Sequence, residues 1–159
     1  PRVLKLFETL PLNEEKKSCL VGLGAAPTPE LRDAALDLAL SDDVKLQDFF
    51  YVALSMHGTS VAARDHTWAH FQTHFAKYQA KIGDSGSSLM DACVTGACSG
   101  YSSDAKADEI LAFFNANPLP RNERKISQTV EAIRSSAKYV ETILKSDAQA
   151  WLDAKLAAL

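Results

Sequence analysis

The sequence contains no H-E-x-x-H, the helical signature that gives a metallopeptidase two zinc ligands and a general base. No apolar run approaches the length of a membrane span, and the N-terminus carries no signal-peptide pattern. A chain that opens on Pro1 without a methionine reads as a piece cut from a longer protein. Basic runs interleaved with aromatics are missing, which argues against nucleic-acid binding; the 17 basic and 20 acidic residues leave a formal charge of −3. Strand signals are nearly absent too, with no sustained β-branched alternation and no Asn-Gly or Asp-Gly hairpin turn.

Cysteine is scarce. Cys19, Cys93 and Cys98 are odd in number, form no C-x-x-C, and leave a gap of five between the last two. On a helix, residues five apart point about 140° away from each other, so Cys93 and Cys98 are poor disulfide partners. Buried free thiols are expected, and with no Asn-x-Ser/Thr sequon they favour a reducing, cytoplasmic location, the endoplasmic-reticulum lumen being the alternative.

What remains is a helix-forming chain. Hydrophobic residues make up 47% and charged residues 23% of its 159 residues, the mixture of a globular domain. One domain spanning 1–159 is expected from that length, enough to bury roughly 70% of the unfolded surface. Residues 2–9 form a first helix, and Asn13 caps a second reaching about Leu23, with Gly22 and Gly24 loosening its end. Thr28, Pro29 and Glu30 combine a capping hydroxyl, a first-turn proline and an early carboxylate, starting a third that runs to about Leu40. Asp42 and Asp43 lead into a fourth that contains Gln47 and Asp48 in its first turns and stops at Gly58.

Ser60 opens a fifth helix to about Ile82, in which Trp68, Phe71, Phe75, Tyr78 and Ile82 recur at spacings of 3, 4, 3 and 4. That stripe is core, and His66, His70 and His74 fall on the opposite, polar side. After the connector GDSGSS, Ser87 or Ser88 caps a sixth helix from Leu89 to about Ala97, and Ser103 caps a seventh stopped by Pro118 and Pro120. Ile126, Val130, Ile133, Ala137, Val140 and Leu144 define an eighth, and a last begins near Asp147 with Trp151, Leu152 and Leu156. Eight or nine helices on short joints predict an all-α fold, a curved stack of antiparallel helix pairs similar to HEAT or armadillo arrays.

Catalytic motifs do not survive inspection. HTWAH at 66–70 has the spacing of a zinc pair, but Thr67 stands where the general base belongs and no third ligand is identifiable. A solvated or interdomain polar face accounts for the three histidines. GDSGSS places Ser85 in a protease-like string, yet such a nucleophile needs a β-barrel setting with a positioned histidine and aspartate. Gly22-x-Gly24 follows no strand and is a helix end. No catalytic residue and no metal ligand is assigned. Arg64, Arg134 and Lys138 are the cations suited to a peptide carboxylate, with arginine able to donate two parallel hydrogen bonds.

Several strings occur together in order: EEKKSCLVGLGAAPTPELRDAALDLALSDDVKLQDFFYV with Lys45, Gln47 and Asp48; RDHTWAHFQTHF with Arg64, Trp68, Ala69 and Phe71; AKADEILAFFNANPLP; and QTVEAIRSSAKYVETIL. From about Glu14 to Trp151 this order resembles the C-terminal helical domain of zinc aminopeptidases of the puromycin-sensitive and endoplasmic-reticulum type. Ser136 and Tyr139 stand where that family often has asparagine and tryptophan. The resemblance implies a non-catalytic domain that walls a peptide-admitting cavity, with zinc and its ligands in an upstream catalytic domain outside this chain. Its partners would be that domain and peptide substrates, with Arg134, Lys138, Arg64 and Gln47 as candidate peptide or interdomain contacts. A free-standing helical scaffold holding a protein or peptide in its groove is the rival expectation.

Overall fold

A computed structural model describes residues 2–157 as helices joined by turns, with no strand among them. The helices are α1 (Arg2–Thr9), α2 (Asn13–Leu23), α3 (Pro29–Leu40), α4 (Phe50–Met56), α5 (Val61–Thr73), α6 (Phe75–Ile82), α7 (Ser87–Cys98), α8 (Asp104–Ala116), α9 (Glu123–Leu144) and α10 (Ala148–Leu156). A single 3-10 turn, Pro120–Asn122, precedes α9. Three starts are set by hydroxyl caps: Thr28, Ser60 and Ser103 accept from the backbone N–H of Leu31, Ala63 and Lys106. The helices pack in pairs, α1 on α2, α2 and α7 on α4, α3 on α5, and α8 on α9.

The all-α, paired architecture agrees with the sequence, and four local expectations are corrected. The predicted helix from Ser60 to Ile82 divides at His74, whose backbone (φ −109°, ψ 19°) leaves the helical well. That break makes ten α-helices among the described residues where eight or nine are expected. Residues 42–49 form successive turns, so Gln47 and Asp48 precede α4. Those turns are held from outside: Lys81 Nζ on α6 donates to the carbonyls of Ser41 at 2.5 Å and Val44 at 2.9 Å, oxygens an early helix would have used internally. Asn13 is the first residue of α2 and caps nothing. Gly86, at φ 116°, occupies the N-cap of α7, displacing Ser87 and Ser88 from that role.

The core is aromatic at its centre. Phe71 has five rings around it, those of Trp68, Phe75, Tyr78, Phe113 and Phe114, at centroid distances of 4.9–6.3 Å. The predicted stripe of Trp68, Phe71, Phe75, Tyr78 and Ile82 is buried throughout. Phe113 of α8 joins it from the side. Trp68 also reaches outward, its indole N–H donating to Glu109 Oε1 at 2.6 Å. All three cysteines are buried free thiols, and burial raises those of Cys93 and Cys98 far above the ordinary range.

Elsewhere the backbones come close. A Cβ on Gly96 of α7 would sit 3.0 Å from the backbone nitrogen of Leu54 in α4. One on Gly24, at the end of α2, would meet Ser55 Oγ and lie 2.8 Å from the backbone nitrogen of Met56. Gly22 has only a Val3 methyl at 3.7 Å. Gly24→Ala is therefore expected to cost about 1–3 kcal/mol by overpacking. Gly22→Ala should gain up to about 1 kcal/mol from helix propensity. Urea unfolding midpoints of the two variants check the contrast.

Glu109 supplies a second test. Burial pushes its carboxyl upward, but hydrogen bonds from Lys106 and Trp68 and the Lys106 charge outweigh this and hold it below the ordinary glutamate range. A carboxyl depressed in the folded state stabilises it above the unfolded-state value, and that stability is lost as pH falls through the folded value. Thermal unfolding from neutral pH down to about pH 3 should show a shallower acid decline in Glu109→Gln than in the parent chain.

Candidate functional site

A concavity of about 700 Å³ runs between the end of α8 and the stretch of α9 from Glu123 to Lys138. Leu111, Phe114, Leu119, Ile126 and Val130 give it an apolar floor, and the Pro118 turn closes one end. Arg134 and Lys138, one turn apart on α9, stand on its rim with Glu123 and Glu131, so the rim carries both charges. Arg134 Nη2 pairs with Asp108 Oδ1 of α8 at 2.7 Å. Both partners are half-exposed, so the pair is worth at most about 1 kcal/mol and leaves the guanidinium free to exchange partners.

Beyond the groove the apolar stripe of α9 changes character. Ile126, Val130 and Ile133 are buried, whereas Val140 is 40% and Leu144 79% exposed. The helical stripe over 126–144 is thus buried only in its first half. On α10, Trp151, Leu152 and Leu156 are exposed as well, and no residue of that helix is buried. The groove therefore lies on the same helix as exposed apolar residues, Val140 and Leu144.

The four expected contact residues separate into two groups. Arg134 and Lys138 share the groove. Arg64 lies elsewhere: its Nε donates to the carbonyl of His57 at 3.4 Å, its guanidinium covers the Tyr101 ring at 5.4 Å, and it packs on Gly100. Those contacts join the end of α4 to the loop before α8. Gln47 is exposed in the turns before α4 and lines none of the described concavities.

The histidines depart furthest from expectation. His66 is half-buried, its Nε2 paired with Asp33 Oδ1 at 2.7 Å. His70 is only 4% exposed, buried within this chain and not on the solvated or interdomain face expected of it. Its Nδ1 meets the Tyr78 hydroxyl at 3.2 Å, and its ring packs edge-on against His74 with centroids 4.4 Å apart. Burial, then the His74 charge, hold its imidazole below the ordinary value against the opposing pull of Asp37. Asp37 escaped notice in the sequence; the signal was two four-residue ladders, Asp33 and Asp37 on α3, and His66, His70 and His74 on α5 and its end.

A metallopeptidase reading of HTWAH, already set aside in the sequence, does not fit the structure either. Thr67 stands at the general-base position, fully buried, its hydroxyl donating to the carbonyl of Ala63 at 2.8 Å. Ser85 sits in an exposed turn of the connector between α6 and α7.

Comparison with known proteins gives these features a context. A family model described as the ERAP1-like C-terminal domain matches residues 2–135. Aminopeptidase M1 of Arabidopsis thaliana is 29% identical over 156 residues, covering 98% of this chain and 17% of that protein. Aminopeptidase M1-B of Oryza sativa subsp. japonica is 30% identical over 141 residues, 89% of this chain and 16% of its own length. The puromycin-sensitive aminopeptidase of Caenorhabditis elegans is 28% identical over 148 residues, again 16% of its length. The chain thus spans about one sixth of the relatives it matches.

Proposed function

This chain belongs to the ERAP1-like C-terminal domain family, and from that premise we propose that it is a chamber-forming, non-catalytic part of a zinc-dependent aminopeptidase. In this reading the stack of helix pairs curves into a wall, and an upstream catalytic domain of the same polypeptide completes the hollow. Zinc would belong to that neighbour, where it would polarise the scissile carbonyl and activate water. The residues described here would enclose and orient peptide without touching the reacting atoms.

One observation supports this most: the 700 Å³ groove opens beside an apolar helix face that nothing within the described residues covers. An unpaired apolar face beside a cation-bearing groove suits a surface that meets both a neighbouring domain and a peptide. Arg134 and Lys138 are the side chains proposed to meet a peptide's C-terminal carboxylate, Arg134 exchanging Asp108 for it. Arg64 and Gln47, placed elsewhere, are proposed as interdomain contacts only. The three buried free thiols favour a cytoplasmic location.

Two measurements test the reading. The isolated chain should leave an aminoacyl reporter uncleaved with or without added zinc, while removing this segment from the full-length peptidase should change the preferred peptide length more than the rate on a short reporter. Zinc-dependent cleavage by the isolated chain would refute it. In peptide titrations, Arg134→Ala should weaken binding of a peptide with a free C-terminus by about tenfold, the loss of one charge-assisted hydrogen-bonded pair, and leave binding of the C-terminally amidated peptide unchanged. Equal loss for both peptides would remove Arg134 from the role.

A further inference from the structure

We propose that Asp37, His70 and His74 form a binding site for a divalent transition metal, zinc foremost, that ties α3 to the junction of α5 and α6. The three side chains each offer one ligand atom, and these atoms lie within 4.8 Å of one another. No other trio of histidine, cysteine, aspartate or glutamate meets that condition among the described residues. The inference is independent of the chamber reading and concerns a different face of the protein.

The strongest sign of a missing partner is His70 Nε2. It is buried and hydrogen-bonded to nothing, although the residue is only 4% exposed. A buried ring nitrogen without a partner is costly and needs an explanation. Asp37 Oδ1 is 3.5 Å away, beyond ordinary hydrogen-bond range. That separation is close to the edge of a tetrahedron with metal–ligand arms of about 2.0–2.1 Å, roughly 3.4 Å. Two acceptors facing each other at this spacing are what a cation between them would hold in place.

The surroundings prepare His70 for the role. Its Nδ1 is 3.2 Å from the Tyr78 hydroxyl, whose oxygen accepts a hydrogen bond from Nδ1–H in the tautomer that leaves the Nε2 lone pair directed at the site. Such a second hydrogen bond fixes the tautomer of a metal-binding histidine. His74 follows one turn later, where the helix breaks, and its half-buried ring packs against that of His70. Asp37 keeps 55% of its side chain exposed, which admits a water as the fourth ligand. Two imidazoles and one carboxylate suit zinc and its transition-metal neighbours, whereas calcium and magnesium require oxygen ligands throughout. One turn earlier, His66 and Asp33 make a direct ion pair at 2.7 Å and have no third ligand, so that rung serves as an internal control.

The test is titration of the metal-stripped full chain with Zn²⁺, read by calorimetry and thermal unfolding, and with Co²⁺, read by its visible absorption. Saturable binding of one equivalent is expected, with a rise in Tm of about 5–10 °C at a hundredfold excess over Kd. Co²⁺ should give the intense visible bands of a tetrahedral site. His74→Ala, whose side chain is only half-buried, should keep the metal-free Tm and lose at least tenfold in affinity, as should Asp37→Asn. His66→Gln should bind as the parent chain does. Weak, unsaturable binding, affinity that survives both His74→Ala and Asp37→Asn, or equal loss in His66→Gln would overturn the site, whatever the outcome of the peptide experiments.

Discussion

The packing of Phe71 is the constraint on which the rest of the structure depends. Five aromatic rings surround it, and they arrive from α5, α6 and α8. Aromatic rings carry large buried areas and prefer tilted or edge-on neighbours, so a cluster of this kind fixes orientation as well as proximity. Removing one such ring from a core typically costs about 3–5 kcal/mol, a large part of the stability of any domain of this size. Phe75 and Tyr78, beyond the break at His74, are still buried in the aromatic centre. Trp68 then locks α8 through its contact with Glu109, and α8 in turn positions the floor of the groove against α9.

The groove and the bare end of α9 gain meaning from proportion. A chain that covers about one sixth of its relatives, yet folds as ten helices with an aromatic core, owns an interior and also a face that looks like an interior. On α9 the two meet within a few turns, buried at Ile133 and exposed at Val140.

Much of the fold was legible in the sequence because helix starts are local events. Thr28, Ser60 and Ser103 each announce a helix by a hydroxyl three residues ahead of the N–H it accepts from, and each does so in the structure. The failures are non-local. Nothing near Asp42 shows that Lys81, some forty residues away, will take the carbonyls of Ser41 and Val44. The aromatic stripe was readable by periodicity, but periodicity also set the histidines on a solvated face, because it cannot show that α3 packs over them. For the site, Arg134 and Lys138 were neighbours by spacing, while the engagement of Arg64 with His57 and Tyr101 depends on a loop whose path spacing does not encode. Asp37 meets His70 across 33 positions of sequence, and the matching four-residue ladders on the two helices do not by themselves show that the helices pack together.

The two glycines that let α2 and α7 touch α4 at backbone distance have a mechanical consequence. Contacts made through side chains can yield by rotamer changes, whereas peptide groups pressed together have no such compliance. Around Gly24 and Gly96 the close backbone approach leaves α2, α4 and α7 little room to shift against one another. Displacement between elements costs less where packing is sparse, as at the connection from α9 to α10, whose last helix buries no residue.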